Sequence, residues 1–258
     1  MLAVISYNIR RKQTLDSVAA EAARLAALPD AGVIGWQEAF DHREALEPLG
    51  SLGWHTAYFD PATEVPISWR DDLFELVDTD QTQMHEGWPG LRRDRIKPGR
   101  HVTQVTLRHR ASGQLLSVLN THVTSRAQDR STGGWRDRTA AERARQHLAH
   151  MAGMWRRVPG RWAIATTDLN IDHAQDAAAP LPGGPRESFA GLAVSNWDAL
   201  GTLGPTVTMR ATGEQWVYDY VFAARRCLED DTLAFDSQEL LDGFNSDHLP
   251  LLVRFRLS

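Results

Sequence analysis

Residues 2–38, LAVISYNIRRKQTLDSVAAEAARLAALPDAGVIGWQE, decide the fold class. LAVISYNI (2–9) is dense in apolar and β-branched side chains and reads as a strand. In TLDSVAAEAARLAAL (14–28) alanine and leucine recur at helical spacing, with Thr14 or Asp16 available to cap the first turn. Pro29-Asp30 closes that helix, and GVIGW (32–36) is the next strand. A β-α-β opening predicts an α/β protein.

Working outward, strand-like segments recur at WHTAYF (54–59), VPISWR (65–70) and LFELVD (73–78). HVTQVTLRHR and QLLSVLNTHV (101–110 and 114–123) alternate with period two about Ala111-Ser112-Gly113 and predict a hairpin. The strongest helical pattern is 138–157, where Ala144, Leu148, Met151 and Trp155 form one apolar stripe. RWAIATT (161–167), QWVYDYVFAA (215–224) and HLPLLVRFRL (248–257) read as strands, and the Ala/Pro/Gly-rich 174–190 as a surface loop. With no fixed repeat and no low-complexity linker, residues 1–258 are expected to form a single domain.

Composition narrows the class. At 258 residues, 42% hydrophobic and 24% charged, the chain is too apolar for a disordered protein. Its net charge of −5 argues against coating nucleic acid by bulk attraction, while leaving room for a local basic surface. One cysteine, Cys227, rules out an intramolecular disulfide. The first residues hold no signal-peptide core and no stretch approaches a membrane span, so the reading is cytoplasmic, with no stable membrane association and no protein partner.

Chemistry-bearing residues gather at strand ends: Asn8, Glu38, Asn120, His122, Asp168, Asn170 and Asp247-His248, with Asp219 inside a late strand. Strand ends fix side chains on a rigid scaffold while loops admit substrate. Singly each has an ordinary explanation: a solvated Glu38, a turn at Asp168-Leu-Asn170, a capped strand entry at Asp247. As a set they supply hard oxygen ligands without a thiolate cluster, which suits Mg²⁺ or Mn²⁺, together with histidines for proton transfer. Phosphate ester hydrolysis requires those parts.

The pieces SYNIR (6–10), GWQE (35–38), VLNTHV (118–123), TDLN (167–170), YDYVF (218–222) and SDHLPL (246–251) together resemble the endonuclease/exonuclease/phosphatase superfamily, in that family's order and over nearly the full chain. PISWRDDLFELVD (66–78) is similar to the family's central hairpin. The resemblance implies a four-layer α/β sandwich, two facing mixed β-sheets flanked by helices. It implies Glu38 as principal metal ligand with Asn8 and Asp247 nearby, and Asp168, helped by Asn170, orienting or deprotonating the attacking water. It also implies His248 contacting the scissile phosphate or accepting a proton, with Asp219 holding its ring, and His122 stabilising a non-bridging oxygen or protonating the leaving group. Two positions depart from the family pattern: Thr167 stands where glycine is usual, and Ser68-Trp69 where many nucleases carry Asn or Tyr.

Two basic loops point to the substrate. HEGWPGLRRDRIKPGRH (85–101) carries Arg92, Arg93, Arg95, Lys97 and Arg100 with Trp88; SRAQDRSTGGWRDR (125–138) carries Arg126, Arg130, Arg136 and Arg138 with Trp135. Arginine forks fit phosphates and tryptophan stacks bases. A solvated charged surface is the plain alternative. The expectation is a metal-dependent phosphodiester hydrolase acting on DNA or RNA, with Arg92, Arg93, Arg95, Arg126, Arg130 and Trp135 on the substrate. A phospholipid head group or a small phosphorylated metabolite is the alternative substrate, and a non-catalytic binding module the third reading.

Overall fold

The structure, a computed structural model, describes residues 1–89, 96–136 and 138–258. Among them two six-stranded mixed sheets face each other. The first runs Leu233–Leu240, Leu251–Leu257, Leu2–Asn8, Ala31–Gln37, Ile67–Arg70, Trp54–Ala57. The second runs Ala193–Ser195, Asp219–Ala224, Trp162–Asp168, Leu115–His122, Arg100–His109, Phe74–His85. Helices pack outside both sheets, which makes the four-layer α/β sandwich.

Alternation along the first strand shows how the layers form. Ala3, Ile5 and Tyr7 join Val18, Ala22 and Leu25 of the Leu15–Ala26 helix in an outer core, while Leu2 and Val4 point into the core between the sheets. Thr14 caps that helix by accepting from the Ser17 amide. The Thr139–Trp155 helix buries Ala144, Leu148, Met151 and Trp155 on the second sheet.

Towards one end of the sandwich the facing residues turn polar, and the two sheets are joined by a buried amide. Asn120 Nδ2 donates to the carbonyls of Trp36 (2.7 Å) and Pro66 (3.0 Å), and its Oδ1 accepts from Gln37 Nε2 (2.8 Å) and Thr166 Oγ1 (3.0 Å). Every hydrogen-bonding position of that side chain is used, so the buried polar group is satisfied. Gly35 makes this approach feasible: a Cβ there would lie 1.8 Å from Thr166 Oγ1 and 2.9 Å from Asn120 Oδ1.

Several local expectations are corrected. Residues 66–78 are no hairpin: Ile67–Arg70 belongs to the first sheet and Phe74–His85 to the second, so the segment crosses between sheets. Its strand extends well past 78, because pairing with Arg100–His109 overrides the polar composition of Thr79–Gln83. The 174–190 segment carries two short helices, His173–Ala178, capped by Asp172 accepting from the Gln175 amide, and Pro185–Ser188 with proline in its first turn. Residues 215–224 split into Gln215–Trp216 and Asp219–Ala224, since Val217 and Tyr218 hydrogen-bond to side chains of Asp172 and Thr206 instead of a strand.

Candidate active site

Register places three functional groups in one row. Asp168 is paired with His122 on the parallel neighbour and with Asp219 on the antiparallel one. Residues level across adjacent strands project to the same face, and here that face looks at the first sheet. From that side come Asn8 at the end of its strand, Glu38 just after its own, and Asp247-His248 just before Leu251–Leu257. Residues 240 positions apart in the chain therefore meet at one mouth.

Asp168 is the hub. Its Oδ2 accepts from Asn8 Nδ2 at 2.8 Å and lies 3.5 Å from His122 Nε2 and 3.9 Å from His248 Nε2. Its Oδ1 accepts from the Asn170 amide at 2.9 Å, and Asn170 Nδ2 donates to the Val123 carbonyl at 3.1 Å. Asn170 has φ 52° and Glu38 φ 59°. Left-handed backbone at non-glycine residues is uncommon and collects at functional sites.

His248 Nδ1 lies 2.8 Å from Asp219 Oδ2. Burial alone would depress the imidazolium, but the charges of Asp219 and Asp168, the Asp219 hydrogen bond and the charge of Asp247 outweigh it and push the ring up to about 10. Asp219 is itself fixed: its carbonyl accepts from Trp197 Nε1 and its amide donates to Thr206 Oγ1. Asp247, half-buried, has Arg10 Nε 3.6 Å away.

His122 is held differently, by two residues that the sequence reading did not assign to the site. Arg100 Nη1 donates to His122 Nδ1 at 3.2 Å and pairs with Glu64, whose Oε2 is 3.5 Å from the same ring nitrogen. Glu64 is 2% and Arg100 8% exposed. Burial raises the Glu64 carboxyl, yet Arg100 and His122 more than offset it and hold it below the usual carboxylate value. Arg100 and Glu64 together hold the Nδ1 edge of the His122 ring, which leaves Nε2 facing Asp168. Glu64 sits in an unremarkable loop and Arg100 among exposed-looking cations; no local signal marks either.

Glu38 accepts from the Arg11 amide at 2.9 Å. Burial pushes its carboxyl up, and His122, the Arg11 amide, His248 and Arg100 together bring it below its ordinary value. One donor atom each from Asp168, Asp219 and His248 falls within 4.8 Å of the others, a buried acidic and histidine cluster of a kind that can hold a metal. Within that trio His248 Nδ1 and Asp219 Oδ2 also share the 2.8 Å contact. Glu38, Asp247 and Asn8, at the ends of neighbouring strands, carry oxygens of the type a divalent cation prefers.

The residues expected on the substrate separate. Arg126 is exposed, with φ 66°. Arg130 pairs with Glu214 (2.8 Å) and lies over Trp216, whose ring stacks on Tyr218 at 6.1 Å and 9°. Trp135 donates its indole N–H to the Pro182 carbonyl and packs on the core, a structural anchorage. Arg92, Arg93 and Arg95 lie outside the described residues.

No protein-family model and no curated protein matches this sequence. Solved structures do. The chain has the fold of the endonuclease/exonuclease/phosphatase superfamily. A Bacteroides vulgatus endonuclease/exonuclease/phosphatase superposes with a TM-score of 0.73 at 16% identity, covering 100% of this chain and 99% of that one. TDP2 from D. rerio, complexed with a single-strand DNA product, gives 0.71 at 16% identity over 99% and 98%. A mannosyl-6-phosphatase from Bacteroides thetaiotaomicron gives 0.65 at 16% identity over 100% of both.

Proposed function

We propose that this chain is a divalent-metal-dependent phosphodiester hydrolase acting on nucleic acid, with residues 1–258 working as one domain. The observation that carries this reading is the row His122–Asp168–Asp219 with His248 set against it: a buried acid flanked by two differently held histidines, beside strand-end oxygens of a kind that suits a cation.

Glu38, Asp247 and Asn8 would hold Mg²⁺ or Mn²⁺, which supplies charge neutralisation at the phosphate. The chain's own residues do the rest. Asp168, fixed through Asn8 and the Asn170 amide, accepts a hydrogen bond from the attacking water and takes its proton. His248, charged and braced by Asp219, faces the scissile phosphate, stabilises its developing negative charge and carries a proton for the leaving oxygen. His122, its Nδ1 edge held by Arg100 and Glu64, presents Nε2 to a non-bridging oxygen.

The substrate class rests on Arg130, Trp216 and Tyr218. The Val207–Thr208 strand pairs with Gln215–Trp216 and bridges to His248 through Val207, so the stacked aromatic pair adjoins the mouth. The part-exposed Trp216 with Arg130 beside it suits a nucleobase and its phosphate. That a similar fold has been seen with single-strand DNA product supports the same choice. The test is turnover of plasmid DNA, single-stranded DNA, single-stranded RNA, sphingomyelin and a sugar phosphate with Mg²⁺ or Mn²⁺, with and without chelator. Chelator-sensitive cleavage of a nucleic acid supports the proposal. Cleavage of only the lipid or sugar phosphate moves the substrate class, and no hydrolysis of any of them sinks it.

A further inference from the structure

Residues 242–247, which lead into His248, have no helix or strand of their own, and Asp242, Gly243 and Asn245 among them are exposed. Their shape is set by the Leu15–Ala26 helix. Ser17, Glu21 and Arg24 lie at i, i+4 and i+7 on one face of that helix. Arg24 donates to the carbonyls of Gly243 and Asp242, each at 2.8 Å. Ser17 Oγ accepts from Asn245 Nδ2 at 3.0 Å, and Glu21 Oε1 accepts from the Asn245 amide at 2.5 Å.

The same carboxylate also holds the end of the first strand. Glu21 Oε2 accepts from the Tyr7 hydroxyl at 2.7 Å and from Gln13 Nε2 at 3.2 Å, and Gln13 Nε2 donates to the Ile9 carbonyl at 2.7 Å. Tyr7 and Ile9 flank Asn8. Burial first, then the Glu21 charge, push the Tyr7 hydroxyl well above its ordinary value, so it keeps its proton for this bond. Asn245 stands two residues before Asp247, and Ser246 between them donates through Oγ to the Asn8 carbonyl at 2.7 Å. One carboxylate, 6% exposed, thus fastens both segments that present Asn8 and Asp247, two of the three residues placed around the cation. Glutamine has a single acceptor oxygen, so in its place one edge would set an N–H against a donor.

We infer that Glu21 is a positioning residue that sets the spacing of Asn8 and Asp247 and, through it, the affinity for the divalent cation, an inference that rests on the cation site proposed above. Mn²⁺ titration of the full chain, read by electron paramagnetic resonance with circular dichroism as the check on folding, tests it. Glu21→Gln is expected to weaken Mn²⁺ binding about tenfold or more. Thr14→Ala loosens the same helix at its cap without touching the 242–247 segment, and should leave the affinity within about twofold. Equal affinity in a folded Glu21→Gln overturns the inference and leaves the cation site standing. An equal weakening in Thr14→Ala overturns it too, since helix stability alone would then explain the effect. Should Glu21→Gln fail to fold, Tyr7→Phe decides: it removes only the donor on the Asn8 side, a severalfold weakening is expected, and unchanged affinity overturns the inference. No Mn²⁺ binding by the unaltered protein overturns the cation site itself and the inference with it.

Discussion

Two flanks of Asp168 carry the same ring and hold it by different means. On one, His248 leans on a lone carboxylate, Asp219, and is pushed up to about 10. On the other, His122 is boxed by an ion pair, with Arg100 donating to Nδ1 and Glu64 just beyond. An acid alone presents one ring nitrogen with an acceptor, whereas an ion pair presents it with a donor and an acceptor together. The same residue type is thus held by different partners on the two sides of the site.

The comparison breaks most visibly at Glu64. Glu64→Gln leaves Arg100 buried without its counter-charge, and chemical denaturation is expected to show a loss of about 3–5 kcal/mol. An unchanged denaturation midpoint would mean that the pair does not hold His122. Next in size, Asp168→Ala or His248→Ala should cut turnover by about a hundredfold or more with the fold intact, as read by steady-state rates and circular dichroism; comparable activity in the purified variants would refute the assigned roles. Gly35→Ala places a methyl on Thr166 and Asn120 and is expected to cost about 1–3 kcal/mol by overpacking, measurable as a lower unfolding midpoint. The smallest effect sharpens the comparison with a third histidine. His147 is wholly buried and faces no acid; burial first, then the charges of His85, Arg100, His122 and His150, hold it well below its ordinary value. Its unfolded state binds the proton that the folded state refuses, so its contribution is complete above about pH 6.5 and is lost as pH falls below that. Urea midpoints from pH 7.5 to 5 should fall, and fall less in His147→Gln; parallel curves for the two proteins would sink this assignment.

Legibility differed along the same divide. Asp219 and His248 stand in YDYVF and SDHLPL, segments whose local pattern marks them, and their pairing appears in the structure as the resemblance implied. Glu64 follows Pro61-Ala62-Thr63 in a loop with no such pattern, and Arg100 reads from sequence as one of the substrate-directed cations of the 85–101 loop, though it is buried. Burial of a charge depends on a partner 36 residues away, which no window of sequence contains. The 66–78 segment failed for a related reason: two consecutive strands read as a hairpin unless the sheets they join are known.

By itself the sequence determined the α/β class, a first helix capped by Thr14 or Asp16, the apolar stripe of residues 144–155, and the set of strand-end residues from Asn8 to His248. Those depend on spacing along the chain, which local periodicity records. Only the tertiary structure decided how each ring of the site is held, that Glu64 and Arg100 adjoin it, and that Asn120 and Gly35 bring the sheets close enough to assemble it. Protonation and burial are set by neighbours distant in sequence and near in space, and the packing of two separate sheets brings them there.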